Sequence, residues 1–310
     1  MKYVEFVNSV LMKTIDETNK LVLFGQNMNA ASCLSGLTRG LGDVNNGLTI
    51  NTPNCENTQV GVGFGLMLNG ISSIFFMKQM DFLLLGIDQL VNTYNIIRQN
   101  EPKASFTIFP ITLDSGYEGP QSALNNFSDF CSIAGVTGYS FTNKIDTQQI
   151  ISNYLVKPGF RIMSPSQKLL REDLLDLEVI HQENECRYFQ YEKGDNVSII
   201  CFNYSLQYGL VLSQVLLDKN IKSSLFSVNT YTDIDYTYII NNLRKTKNLI
   251  LIDDTKSRTS VSDIFLKEIY QECILERKII LNREFSKDLF YPRNDQLDID
   301  YKSVADKFSK

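Results

Sequence analysis

Histidine is almost absent from this 310-residue chain: His181 is the only one. A Ser–His–Asp relay or a multi-histidine zinc site would have to be built on that single ring, which argues against both. Cysteine is sparse and scattered. Its six residues (Cys33, Cys55, Cys131, Cys186, Cys201, Cys273) form no CxxC pair and no metal-ligand spacing, the usage of reduced thiols in a cytoplasm. A basic excess is also missing. Thirty Lys and Arg stand against thirty-five Asp and Glu, a net charge of −5, without the electrostatic footprint of a nucleic-acid binder. No apolar run approaches the ~18–20 residues needed to cross a bilayer, and Glu5 interrupts the stretch a signal peptide would need. Seventeen Gly and seven Pro are too few for a low-complexity chain.

What remains is a 43% hydrophobic sequence, long enough for one large or two ordinary domains of roughly 100–200 residues each. Apolar runs of strand length alternate with amphipathic stretches of helical period. Helices are expected over 2–18, 54–69, 82–99, near 122–132 and over 146–155, the last capped by Asp146. Strands are expected at 21–24, 73–77, 106–112, 136–141 and 160–163, and 25–51 reads as a polar loop. Charge rises from Lys168 to Lys193, which reads as a linker. Beyond it, strands at 197–202, 224–227, 249–252 and 278–281 alternate with helices at 205–218, 235–243 and 261–272. Such alternation predicts parallel sheets wound with crossover helices, in two doubly wound α/β domains: 1–168, a linker 169–195, and 196–310. The tail from Asp295 to Lys310 carries no specific signal.

The segment from Asn51 to Gly65 is the richest in chemistry. Taken alone it has a structural explanation: Asn54 caps a helix, Pro53 sets the chain direction, and Glu56 meets the positive end of the helix dipole. Gly61 and Gly65 would leave a bare face for close helix packing. The GxGxG run is a poor dinucleotide fingerprint, because it lies inside a helix instead of at a strand-to-helix turn.

The order of GQNM at 25–28, TPNCE at 52–56, GVGFGLMLNG at 61–70 and MDFLLLGIDQLVNTYN at 80–95 resembles the pyrimidine-binding half of thiamine-diphosphate enzymes. The likeness is specifically to the beta chain of the first component of 2-oxo acid dehydrogenases, and more distantly to transketolases. GYEGPQS at 116–122 resembles a transketolase loop, and the second half of the chain resembles the C-terminal domain of the same families. The resemblance implies that Glu56 hydrogen-bonds a ring nitrogen of the cofactor's aminopyrimidine and so activates it, with the cofactor as electron sink. A carboxylate suits this task because its affinity for a proton is tunable in a dry cleft. Phe82 matches the aromatic that packs on the aminopyrimidine ring, with simple core packing as the alternative. Asp88-Gln89 is family-typical and reads as structural.

Two departures from the family pattern carry further implications. The Gly-Asp-Gly and Asn set that holds the diphosphate through Mg²⁺ is missing: Gly42-Asp43-Val44 and Gly194-Asp195-Asn196 do not fit. No metal ligand is therefore assigned here, and a separate alpha-type, diphosphate-binding chain would hold Mg²⁺. The protein alone would be inactive, and the C-terminal domain would organise a heterotetramer. Second, the histidine of the beta-chain substrate channel is replaced by Ser122, which cannot shuttle protons at neutral pH as imidazole does. His181 lies in the linker and reads as a surface residue. The expected function is the beta-type subunit of a two-chain, transketolase-like or acyloin synthase-like transferase. Its substrate would be a ketose or 2-oxo acid, contacted by Gln121, Ser122 and Asn27. The alternatives are a dehydrogenase beta chain, or a non-catalytic structural paralogue. Neither a nucleic-acid nor a membrane partner is expected.

Overall fold

Continuous apolar runs form strands buried on both faces, the pattern of parallel sheets covered by helices. The computed structural model describes residues 1–42, 47–114, 126–232, 234–257, 259–283 and 297–309. The chain divides into two compact units, Met1–Asp176 and Leu177–Lys310. The first unit runs α1 (Tyr3–Asp16), β1 (Leu21–Gly25), β2 (Leu48–Asn51), α2 (Glu56–Leu68) and β3 (Ser72–Met77). An irregular helical stretch follows: a 3-10 segment Met80–Gly86, a π turn Gln89–Thr93 and α3 (Tyr94–Ile97). Then come β4 (Ser105–Pro110), α4 (Phe127–Ala134), β5 (Gly138–Ser140), α5 (Lys144–Tyr154) and β6 (Gly159–Ser164).

Among the described residues the strands align as β2-β1-β3-β4-β6-β5, and every pairing is parallel. Right-handed crossovers then put α1 with α5 on one face and α2 with the irregular stretch on the other, and these pairs do pack together. An aromatic core locks α2 down. Phe24 stacks on Phe75 at 5.1 Å, and Phe64 meets Phe106 edge-on at 5.1 Å. A Cβ on Gly63 would lie 2.1 Å from the Phe106 ring, so glycine is what lets α2 approach β4 this closely.

The second unit contains β7 (His181–Gln182), β8 (Tyr188–Glu192), β9 (Val197–Phe202), α6 (Leu206–Leu217), β10 (Ser223–Val228), α7 (Thr237–Thr246), β11 (Asn248–Asp253), α8 (Ser262–Glu272), β12 (Arg277–Asn282) and α9 (Tyr301–Asp306). Its sheet order is β12-β11-β9-β10-β8-β7, with β8 antiparallel to β10 and to β7. The doubly wound α/β class expected from the sequence is observed in both units.

Several local expectations are revised. The stretch 169–195 is not a plain linker: its first part, with buried Leu169 and Leu170, stays with unit 1. Its later part supplies β7 and β8, where Tyr188, Phe189 and Tyr191 are buried beneath the flanking charges that dominate the composition. The polar loop 25–51 ends in the short edge strand β2, too exposed to show an apolar pattern. The N-cap of α5 is Asn143, whose Oδ1 accepts from the Ile145 and Asp146 amides; Asp146 is the reciprocal partner of a capping box. The helix expected over 82–99 breaks into 3-10, π and α turns. His181 is not a free surface side chain. Its ring stacks on Tyr238 at 3.7 Å, and partial burial lowers its pKa. No helix among the described residues is long and apolar enough to cross a membrane.

Candidate active site

In an open parallel sheet, ligands bind beyond the carboxyl ends of the strands where successive connections leave in opposite directions. In unit 1 that place lies between β1 and β3. The chain passes from β1 outward to β2, then returns through α2 to β3 on the other side of β1. The segments that meet there are 26–28 after β1, 52–56 after β2 and 78–86 after β3.

Each is pinned by the backbone around it. A Cβ on Gly25, at φ +151°, would lie 2.1 Å from the Phe76 carbonyl oxygen, so the end of β1 touches β3 through glycine alone. The Thr52 amide donates to the Gly25 carbonyl at 2.9 Å. Gln59 donates from Nε2 to the Pro53 carbonyl at 3.1 Å and to the Thr52 hydroxyl, which fixes the turn ahead of α2. After β3, the Met80 amide donates to the Ile111 carbonyl at 2.8 Å, and the Ile111 amide donates to Met77 at 3.3 Å.

Glu56 is the first residue of α2 and is half-buried. Among the described residues its carboxylate makes no hydrogen bond or ion pair. The N-cap is Cys55, with no side-chain capping bond, so Asn54 does not perform the capping expected of it. Phe82 is half-buried on the 3-10 segment Met80–Gly86. That segment packs on α2 at its start: a Cβ on Gly86 would lie 3.5 Å from the Glu56 carbonyl oxygen. The elements carrying Glu56 and Phe82 are therefore in direct contact. Asn27 sits in the turn after β1 at φ +57° and is half-buried. Gln121 and Ser122 lie outside the described residues.

The two glycines of α2 meet different surroundings. Gly61 accommodates the Gln89 side chain, whose Cδ would be 3.4 Å from an added Cβ, while Gly65 faces open space. Exposed Val62, Leu84 and Leu85 add apolar surface on α2 and the 3-10 segment. Among the described residues no group of three His, Cys, Asp or Glu side chains could hold a metal ion.

Asp114 was not singled out from the sequence, although an aspartate just beyond a buried strand of an α/β sheet is a recognisable signal. It is buried and accepts from the Ser166 hydroxyl at 2.5 Å and the Lys168 amide at 3.0 Å. Burial raises its pKa above the usual carboxylate value, against the lowering effect of the Ser166 hydrogen bond. A carboxyl group raised in the fold costs stability once pH exceeds its unfolded value, and nothing below it. Asp114→Asn should therefore raise the unfolding temperature near about pH 8. The gain should shrink as pH falls through the ordinary carboxylate range (about 4). Thermal scans across pH check this, and a pH-independent difference would contradict it.

No protein-family model matches the chain. Curated relatives do. The 2-oxoisovalerate dehydrogenase subunit beta of Bacillus subtilis (strain 168) is 19% identical over 93% of this chain and 90% of its own length. The pyruvate dehydrogenase E1 component subunit beta-3, chloroplastic, of Arabidopsis thaliana is 21% identical over 81% of this chain, which spans 63% of that relative. Among solved structures, one described as a split gene transketolase, inactive beta4 tetramer, superposes with a TM-score of 0.70 at 11% identity. It covers 99% of this chain and 98% of the other. Transketolase from Campylobacter jejuni subsp. jejuni NCTC 11168 gives a TM-score of 0.69 at 12% identity, with 98% of this chain matching 44% of that one. The chain thus has the fold of a transketolase-like beta chain, and its sequence resembles the beta subunits of 2-oxo acid dehydrogenases.

Proposed function

We propose that this chain is the pyrimidine-binding, beta-type subunit of a two-chain thiamine-diphosphate enzyme that cleaves and forms carbon–carbon bonds next to a carbonyl. The observation that carries this reading is Glu56: a half-buried carboxylate, without a hydrogen bond or ion pair among the described residues, opening α2 at the switch point of a parallel sheet beside the element that bears Phe82. Folding does not require a glutamate there. The residues fit the pyrimidine end of the cofactor, since they offer one carboxylate and one aromatic face. For its diphosphate end the sequence offers only Gly42-Asp43-Val44 and Gly194-Asp195-Asn196, neither of which fits the Gly-Asp-Gly and Asn set. Mg²⁺ and the diphosphate then belong to an alpha-type partner.

When bound, thiamine diphosphate supplies the electron sink. The chain's own part is narrower. Glu56 accepts or shares a proton at a ring nitrogen through its carboxylate, and partial burial shields that contact from water. Phe82 offers a flat apolar surface that fixes the ring's plane. Exposed Val62, Leu84 and Leu85 suit coverage by a second polypeptide that completes the cleft. Gln121, Ser122 and Asn27 are the proposed substrate-side groups, for a ketose or 2-oxo acid.

Two chemistries compete. The curated relatives favour 2-oxo acid dehydrogenation with comparable weight, whereas Ser122 in place of a channel histidine favours ketol or acyloin transfer. The proposed assembly is a heterotetramer in the cytoplasm, with self-association through the second unit. By analogy with the tetrameric neighbour, the chain alone should associate with itself and show no turnover. Mixing it with an alpha-type chain bearing the Gly-Asp-Gly and Asn pattern, thiamine diphosphate and Mg²⁺ should give a stable complex and measurable turnover. Comparing ketol transfer to an aldehyde with lipoyl acylation separates the two chemistries. Full turnover by this chain alone would overturn the two-chain reading.

A further inference from the structure

The loop after β1 is held more firmly than a short connection needs. Met28 is fully buried and gripped on both sides of its peptide unit. Its amide donates to Asn51 Oδ1 at 2.7 Å, and its carbonyl accepts from the Thr38 hydroxyl at 2.7 Å. Asn51 stands at the end of β2, and its Nδ2 donates onward to Asn29 Oδ1. Thr38 follows a left-handed turn in which Cys33, Leu34 and Ser35 have φ between +47° and +63°, a conformation that side-chain-bearing residues adopt at a cost. The Gly36 amide donates to the Ser32 carbonyl at 2.9 Å, and the Thr38 amide donates to Cys33 at 3.1 Å, so the turn is closed by its own hydrogen bonds.

The residues just ahead of this clamp are the reverse. Gln26 and Asn27 are half-buried, and among the described residues neither carboxamide has a hydrogen-bond partner. Asn27 is moreover held in the left-handed region at φ +57°, which asparagine tolerates better than most residues. A strand end and a loop residue thus fix Met28, while the two amide side chains before it have no partner among the described residues at the switch point of the sheet.

We infer that Asn51 is a positioning residue: its carboxamide, with the Thr38 hydroxyl, holds Met28 so that Gln26 and Asn27 present hydrogen-bonding groups to the substrate. The inference rests on the function proposed above and deepens it. The substrate class is one with polar, hydrogen-bonding oxygens beside its carbonyl, because amides recognise hydroxyl and carbonyl groups by donating and accepting at once. Asn51 acts only through the loop.

Two variants of the full-length chain test this. Asn51→Leu removes both bonds, whereas Asn51→Asp keeps the Oδ1 acceptor for the Met28 amide. In the chain by itself, hydrogen exchange at the Met28 amide should quicken at least about tenfold in Asn51→Leu. It should stay near wild type in Asn51→Asp, with the β1 amides unaffected in both. In the two-chain complex, Asn51→Leu should raise the donor KM by roughly ten- to a hundredfold with kcat nearly unchanged, and Asn51→Asp should restore it. Unchanged exchange at Met28 in Asn51→Leu overturns the clamp. Faster exchange with an unmoved KM overturns the substrate-facing role. A wild-type complex without turnover overturns the functional reading itself, and this inference falls with it; activity that survives loss of Glu56 does the same.

Discussion

Glu56→Gln in the reconstituted two-chain complex should lower turnover by at least about a thousandfold, roughly 4 kcal/mol of barrier. Glutamine keeps the size and hydrogen-bonding reach of glutamate but cannot hold or pass a proton near neutral pH. Assembly should survive, because the wild-type carboxylate makes no hydrogen bond or ion pair among the described residues. A purely structural Glu56 predicts the opposite split. Losing a negative charge from the first turn of α2 would then cost about 0.3–1 kcal/mol of stability and leave the rate alone. Measuring kcat and the unfolding temperature on the same preparation distinguishes the two, and intact turnover removes the cofactor role.

Gly25→Ala is expected to be the most damaging small substitution near the site. The added methyl would sit 2.1 Å from the Phe76 carbonyl oxygen, which belongs to the neighbouring strand and cannot swing aside. The backbone at φ +151° adds strain of about 1–3 kcal/mol for any side-chain-bearing residue. Together with an overpacking cost of about 1–3 kcal/mol, the loss should reach several kcal/mol and lower the first unit's unfolding temperature by roughly 10 °C or more. Gly65→Ala is the natural control. Nothing lies within 4 Å of its added Cβ, and alanine gains up to about 1 kcal/mol of helix propensity over glycine. In the isolated chain it should be neutral or slightly stabilising. Calorimetry of the two variants side by side checks the contrast; a well-folded Gly25→Ala protein would show that β1 and β3 can separate.

Much of the architecture was legible because buried parallel strands are written as uninterrupted apolar runs. Val197–Phe202 is such a run, and its bounds match the expected 197–202. Legibility failed where a strand is exposed or its charges are local. Leu48–Asn51 is an edge strand lying mostly in water, so nothing in its composition marks it. Tyr188–Glu192 is a short, mostly buried strand rich in aromatics, set in a charged neighbourhood whose composition masks it. The stretch 82–99 keeps a helical stripe of apolar residues yet breaks into 3-10, π and α turns, which that stripe does not foretell; within it Gly86 packs against Val60 and the Glu56 carbonyl of α2.

For the candidate site, the sequence proposes Glu56, Phe82 and Asn27 from an ordered pattern of residue types, but that pattern does not show which elements touch. By itself the sequence determined two doubly wound α/β units, a resemblance to beta-type thiamine-diphosphate subunits, and a missing diphosphate-binding set, because periodicity and motif order are properties of the linear chain. Only the tertiary structure decided that Gly25 and Gly63 are contact points, that Gly61 receives Gln89, and that Asn51 and Thr38 clamp Met28. Those facts depend on distances between segments that the linear chain does not place together: β1 against β3, α2 against β4 and against the π turn, and the end of β2 against the loop after β1.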